Sequence, residues 1–161
     1  SIDHAGRYAY GNQPNITQWN LARLAETLLA LIDPDPDAAV ERATAVLNEF
    51  PAAFEGYWLA GMRKKLGLRT AEEGDADLAA ELLAWMRTAR ADFTNTFRDL
   101  SADALPDSDR YREPDFQAWH ARWRERLERD GAPAGAAGAL MRSANPVVIP
   151  RNHKVEEALA A

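Results

Sequence analysis

By type, the residues best suited to proton transfer or metal binding are His4, His120 and His153. They stand far apart, without the short spacings that bring ligands together, and a zinc site needs three or four converging donors. Each is read as a polar surface or supporting residue, and no metal site is expected. The acidic pairs Glu72-Glu73 and Glu156-Glu157 are adjacent in sequence. On a helix such neighbours do not face one another, so they read as solvated faces. Arg122, Arg124, Arg126 and Arg129 surround Glu125 and Glu128, a mixture that predicts a helix surface laced with ion pairs. Trp58, Trp85, Trp119 and Trp123 fall on apolar stripes. They read as core rather than as a base-stacking platform, because interleaved basic patches are lacking.

Phosphate chemistry of the kinase type needs a Gly-rich loop, a strand-borne Lys paired with a helix Glu, and an Asp and Asn that hold metals. None of these motifs occurs in the sequence. No catalytic, cofactor-binding or metal-binding residue is therefore assigned. The chain has 161 residues, a net charge of -6 and no cysteine. The negative balance argues against nucleic-acid binding, which draws on phosphate neutralisation. The missing cysteines exclude disulfides and thiolate metal sites. No apolar run reaches the roughly 20 residues that span a bilayer, and no charged segment leads into an apolar signal core. Neither a nucleic acid nor a membrane is an expected partner.

The elements that would position any site are helical. Pro14 and Asn15 introduce an apolar run from Ile16 to Ile32, with Asn15 as N-cap and Gln18 completing a capping box. Leu21, Leu24, Ala25, Leu28, Leu31 and Ile32 follow helical spacing, and Trp19, Ala22 and Leu29 widen the stripe. So apolar a helix is expected at the centre of the fold, with the others packed around it. Leu24→Ala would then cost about 2–5 kcal/mol. Pro34 and Pro36 end this helix, Asp35 caps the next, and Pro51 starts or kinks a third segment that stops at Gly67. Asp75 or Asp77 caps a helix that runs through Leu82 and Phe93 to Leu100, continuous or bent near Ala91. Residues 101–114 read as a surface loop. A Trp-rich helix from Phe116 ends at Gly131, a short helix covers Ala139 to Ser143, and Asn152 caps the last one.

Several blocks of the chain carry a family resemblance. Gly6-Arg7-Tyr8-Ala9-Tyr10, Asn12-Gln13-Pro14 and Trp19-Asn20-Leu21-Ala22-Arg23-Leu24-Ala25 resemble a signature of the selenoprotein O (YdiU-like) family. Met62-Arg63-Lys64-Lys65-Leu66-Gly67-Leu68 and Asp92-Phe93-Thr94-Asn95-Thr96-Phe97-Arg98 follow in order. Asn145-Pro146 and Pro150-Arg151-Asn152-His153-Lys154-Val155-Glu156 complete the set. The resemblance implies a protein-kinase-like parent that uses Mg²⁺ or Mn²⁺ to transfer AMP from ATP to Ser, Thr or Tyr of proteins. It places the nucleotide- and metal-binding groups upstream of Ser1, so no cofactor is expected in this piece. Residues 1–14 then stand where an activation segment would, with Asp3, Gly6, Arg7 and Tyr8 as an acceptor-side loop. In that loop Arg7 is expected to tether to a helix carboxylate and Asp3 to cap a turn. The family's redox-active Cys or selenocysteine belongs to a C-terminal tail, so redox control is not expected here.

The resulting expectation is an all-α chain, a single domain of roughly six to eight helices resembling the helical C-lobe part of a kinase-like fold. It would be an inactive fragment of a bacterial, cytoplasmic protein adenylyltransferase. Its partners would be the missing N-terminal part of the same chain and the parent's protein substrates. The alternative is a free-standing helical interaction module without enzymatic activity. The two differ at the surface. The fragment leaves a large apolar patch around the first helix, and the module has a polar surface with a groove for a partner helix.

Overall fold

A computed structural model describes residues 6, 7 and 9–160. Among them are eight α-helices and no strand. The helices are α1 (Gln13–Ile32), α2 (Pro36–Lys65), α3 (Asp75–Thr88), α4 (Phe93–Leu100), α5 (Asp109–Arg112), α6 (Pro114–Arg129), α7 (Ala136–Ala144) and α8 (Asn152–Leu159). This is the all-α architecture that the helical spacing predicts. The chain divides into two compact units, residues 1–58 and 59–161. None of the helices is long and apolar enough to cross a membrane.

The first unit holds α1 and most of α2. Helix α1 starts at Gln13, before the expected Ile16, and follows a 3₁₀ turn over Tyr10–Asn12. Pro14 lies in its first turn, where the missing N–H costs nothing. Asn15 is therefore inside the helix and is not its cap. Asn12 holds the cap position without a side-chain capping bond. Asp33 is extended at the other end, as the residue before a proline must be. Its carboxylate accepts from the Asp35 N–H at 3.0 Å and from Arg42 at 3.0 Å. Asp35 in turn accepts from the Asp37 N–H at 3.1 Å, the cap expected for α2.

Pro51 does not divide α2, which runs unbroken through it. The proline removes one backbone bond, and the Phe50 and Phe54 rings lie 5.9 Å apart across that turn. Helix α1 is not the centre of the fold, for none of its residues is buried. Leu24 is 54% exposed and Leu31 83% exposed. Leu21, Leu24, Leu28, Val46, Leu47 and Phe50 line an open apolar groove of about 550 Å³. In this chain Leu24→Ala should consequently cost less than about 1 kcal/mol, the range of surface substitutions, rather than the cavity cost of a core leucine. Urea denaturation measures it, and a loss of about 2 kcal/mol or more would mean that the groove is filled.

The second unit contains the core. Leu78, Leu82 and Trp85 of α3 and Phe116, Trp119 and Trp123 of α6 are buried at helical spacing. Each buried indole has an acceptor: Trp119 donates to the Leu78 carbonyl at 2.8 Å, Trp123 to Leu66 at 2.9 Å and Trp85 to Glu113 at 3.2 Å. The core role expected for these three is met, whereas Trp58 is only half-buried and donates to the Tyr10 hydroxyl at 2.9 Å. Gly67 ends α2 at φ +76°, and a Cβ there would meet Ala137 and Met141 at 3.0 Å. Only glycine satisfies both the backbone angle and the approach of α7.

Helices α3 and α4 are separate, divided by Arg90 at φ 50°. Asp92 caps α4 by accepting the Asn95 N–H at 2.8 Å. Asp75 and Asp77 do not cap α3, whose cap position is Gly74. The segment 101–114 is more than a surface loop, since it contains α5 and the buried Tyr111. The Tyr111 hydroxyl donates to Asp99 at 2.6 Å, and burial together with that carboxylate pushes its pKa well up. Helix α7 is longer than expected at both ends, and the cap position of α8 is Arg151, without a side-chain capping bond, so that Asn152 is the first residue of the helix and not its cap.

Candidate functional site

The loop that leads into α1 is closed by backbone geometry. Gly6 adopts φ +64°, a conformation open to glycine and costly for other residues. Its carbonyl accepts from the Ala9 N–H at 3.0 Å and from the Asn12 side-chain amide at 2.7 Å. The Ala9 carbonyl accepts from the Asn12 N–H at 2.8 Å. Asn12 thus uses its side chain to hold the loop instead of capping α1. The Arg7 guanidinium carbon lies 5.7 Å from the centroid of the Trp19 ring, and that of Arg23 lies 5.6 Å from it. Arg7, Asn12, Asn15, Ile16 and Trp19 line a small surface cavity of about 330 Å³. Of the four loop residues singled out in the sequence, Gly6 and Arg7 belong to this arrangement. Asp3 and Tyr8 lie outside the described residues, as does the turn that Asp3 was expected to cap.

The densest polar cluster is in the second unit, around Arg126. Its guanidinium is 3% exposed and donates to Asp75 at 2.8 Å, Asp130 at 2.7 Å and the Thr70 carbonyl at 2.9 Å. Asp75 also accepts from Arg63 at 2.6 Å and from the Glu72 N–H at 2.9 Å. Burial pushes the Asp75 carboxyl up, but the hydrogen bonds from Arg126, Glu72 and Arg63 outweigh it and hold it below the usual carboxylate range. Asp130 obeys the same balance. Burial raises it, and the Arg69 N–H, Thr70 and Arg126 bring it down to about 2.

The sequence reading places Arg126 on a solvated helix surface, and the structure buries it. The signal was its position three residues after Trp123, on the same helical face as Trp119 and Trp123. Its neighbours do form ion pairs, but across elements. Arg122 pairs with Glu81, and Arg129 pairs with Glu72 at 2.9 Å.

Lys65, near the end of α2, sits over the Phe93 and Phe97 rings at 5.4 and 5.2 Å. It donates to Asn145 at 3.1 Å, the Asn145 amide returns a bond to the Lys65 carbonyl at 2.9 Å, and burial lowers the lysine's pKa. Arg151 forms a two-pronged pair with Asp92 at 2.7 and 3.1 Å, so the α4 cap also holds the segment before α8. These three contacts join residues from the Met62–Leu68, Asp92–Arg98 and Asn145–Glu156 blocks into one folded unit. His120 stacks on Phe116 and is half-buried, which lowers its pKa, as does the nearby Arg124. His153 is exposed on α8, and His4 lies outside the described residues. Among the described residues no three His, Cys, Asp or Glu side chains are placed to hold a metal ion. Every buried side-chain nitrogen and oxygen among them has a partner. What the described residues offer is an arginine-bearing loop on one helix and an internally satisfied scaffold.

Comparison with known proteins identifies the relatives. The family described as Protein adenylyltransferase SelO matches residues 1–161. The chain is 56% identical over 161 residues to the Protein nucleotidyltransferase YdiU of Alcanivorax borkumensis, covering all of this chain and 33% of that protein. It is 54% identical over 171 residues to the YdiU protein of Rhizobium etli, covering 34% of it. To that of Syntrophotalea carbinolica it is 52% identical over 161 residues, covering 33%. The chain therefore spans about a third of the length of the curated relatives it matches. Matched over its whole length, the chain belongs to the protein adenylyltransferase SelO family.

Proposed function

We propose that this chain is the C-terminal helical part of a bacterial, cytoplasmic protein adenylyltransferase, a single domain in a kinase-like enzyme that transfers AMP from ATP to Ser, Thr or Tyr side chains of proteins. The physical observation that carries the reading is the exposed apolar groove of α1 and α2. An amphipathic helix without a buried residue is what a piece of a larger core presents, and the remainder of the enzyme would cover it. A free-standing interaction module would confine its apolar exposure to a groove in a polar surface, whereas here Leu31 and Tyr57, which do not line the groove, are also 83% and 82% exposed. The groove joins a family match over the whole chain to relatives three times as long.

In this reading ATP and its Mg²⁺ or Mn²⁺ are held by the missing N-terminal part of the chain. The donor set described above does not fit a metal–triphosphate site, and no step of the transfer is assigned to it. The contribution of this piece is positional. The opening loop, with Asp3, Gly6, Arg7 and Tyr8, faces the protein acceptor. Holding an acceptor hydroxyl in near-attack geometry is worth several kcal/mol of barrier. Replacing Arg7 and Tyr8 together by Ala in the complete enzyme should lower AMP incorporation into protein about tenfold or more, with ATP affinity changed by less than about twofold. Labelled-AMP transfer and calorimetric ATP binding measure the pair. Equal losses in both would place Arg7 at the phosphates, and unchanged transfer would reduce the loop to a connector.

A further inference from the structure

We propose that Trp19 is a positioning residue for the acceptor-side loop, its indole face setting where Arg7 is presented; this rests on the acceptor-side reading given above. Trp19 belongs to the apolar run of α1, yet it is 50% exposed and is absent from the apolar groove. It lies instead with Asn12, Asn15 and Ile16 at steps of three, four and seven residues, the spacing of one helical face. That face, with Arg7, lines the small cavity beside the loop. Helix α1 therefore has two working faces. One carries Leu21, Leu24 and Leu28, and the other carries the loop.

The described residues hold the loop at its base and at the Arg7 side chain. At its base, the Gly6 carbonyl is held by the Ala9 N–H and the Asn12 amide, the latter at 2.7 Å. At its side chain, the Arg7 guanidinium lies over the Trp19 ring, with Arg23 on the same ring. A guanidinium is attracted to an aromatic face by the ring quadrupole, and the indole is the strongest such platform. Arg23 is tied to Glu26 at 2.6 Å on the following turn, which limits how far it can move along the ring. The planar ring thus fixes the direction of Arg7 and keeps its charged edge at the surface, where an approaching acceptor chain would meet it.

The test uses the complete enzyme carrying this sequence and four variants: Arg7→Ala, Trp19→Leu, Trp19→Phe and Arg7→Ala combined with Trp19→Leu. Trp19→Leu keeps an apolar side chain but removes the π face. It should raise KM for a protein acceptor or lower AMP transfer by roughly three- to tenfold, with ATP affinity unchanged. Trp19→Phe should recover most of the loss, and the double variant should be no worse than Arg7→Ala alone. Full activity of Trp19→Leu beside an impaired Arg7→Ala would overturn the positioning role and leave the acceptor-side reading standing. A double variant much worse than Arg7→Ala would also overturn it, because Trp19 would then act on its own. So would parallel loss of ATP affinity and AMP transfer in both Trp19→Leu and the conservative Trp19→Phe, because Trp19 would then support the enzyme as a whole and not the loop. If Arg7→Ala itself transfers AMP normally, the acceptor-side reading fails, and the role of Trp19 fails with it.

Discussion

Replacing Arg126 by Ala should destabilise the second unit by about 3–5 kcal/mol, the cost of breaking a buried ion pair and leaving its partner behind. The Asp75 side chain has no solvent exposure, and that of Arg126 has 3%. Without the guanidinium, Asp75 keeps only Arg63 and the Glu72 N–H, while Asp130 keeps Thr70 and the Arg69 N–H. Two buried carboxylates would then share too few donors, and burial would push both up toward protonation. The network also connects separate pieces of chain: the end of α2 through Arg63, the turn at Thr70, the start of α3 through Asp75, and α6 through Arg126. Arg126→Lys should recover less than half of the loss, since an ammonium group cannot reach several acceptors in one plane. Urea denaturation followed by circular dichroism reads both variants. A loss below about 1 kcal/mol for the alanine variant would show that water replaces the guanidinium freely.

Phe116→Ala should cost a similar amount, about 3–5 kcal/mol, by a different route. Phe116 is fully buried. Its ring centroid is 4.6 Å from that of Trp85, 4.8 Å from Tyr111 and 5.7 Å from Trp119. The ring is thus the hub at which α3, α5 and α6 meet, and removing it opens a cavity between large, rigid neighbours that cannot collapse into it. Phe116→Leu, which keeps most of the volume, should lose less than half as much. Near-UV circular dichroism adds a second reading, because the coupled aromatic signal of Trp85, Tyr111 and Trp119 should weaken in the alanine variant. An unchanged spectrum with a small loss of stability would place the hub elsewhere.

Much of this architecture is local and therefore legible before any tertiary contact is known. The three- and four-residue steps from Phe116 through Trp119 to Trp123 require a helix, and α6 is there with those side chains inside. Gly67 stops α2 because the chain must turn left-handed at that point. Pro36 opens α2 behind Asp35 because its missing N–H costs nothing in a first turn. Each of these outcomes is decided within a few residues. The cap of α1 shows where local rules stop, because Asn12 finds a better partner in the Gly6 carbonyl than in the helix it precedes.

The helical class, the approximate positions of the longer helices and the family are legible in the residues alone, since these depend on spacing and on blocks of neighbouring residues. Which faces are covered is settled by packing. Helix α1 is the more apolar of the two by sequence, yet it has no buried residue, whereas α6, rich in charge, places Phe116, Trp119 and Trp123 in the core. Periodicity records that a face is apolar, and burial depends on what lies against it. Arg126 went the same way. Its charge predicts solvent, but Asp75 and Asp130, 51 and four residues away in sequence, draw it inside. A buried charge is stable only where partners converge. That convergence is set by how α3 and α6 pack, which no short window of sequence contains.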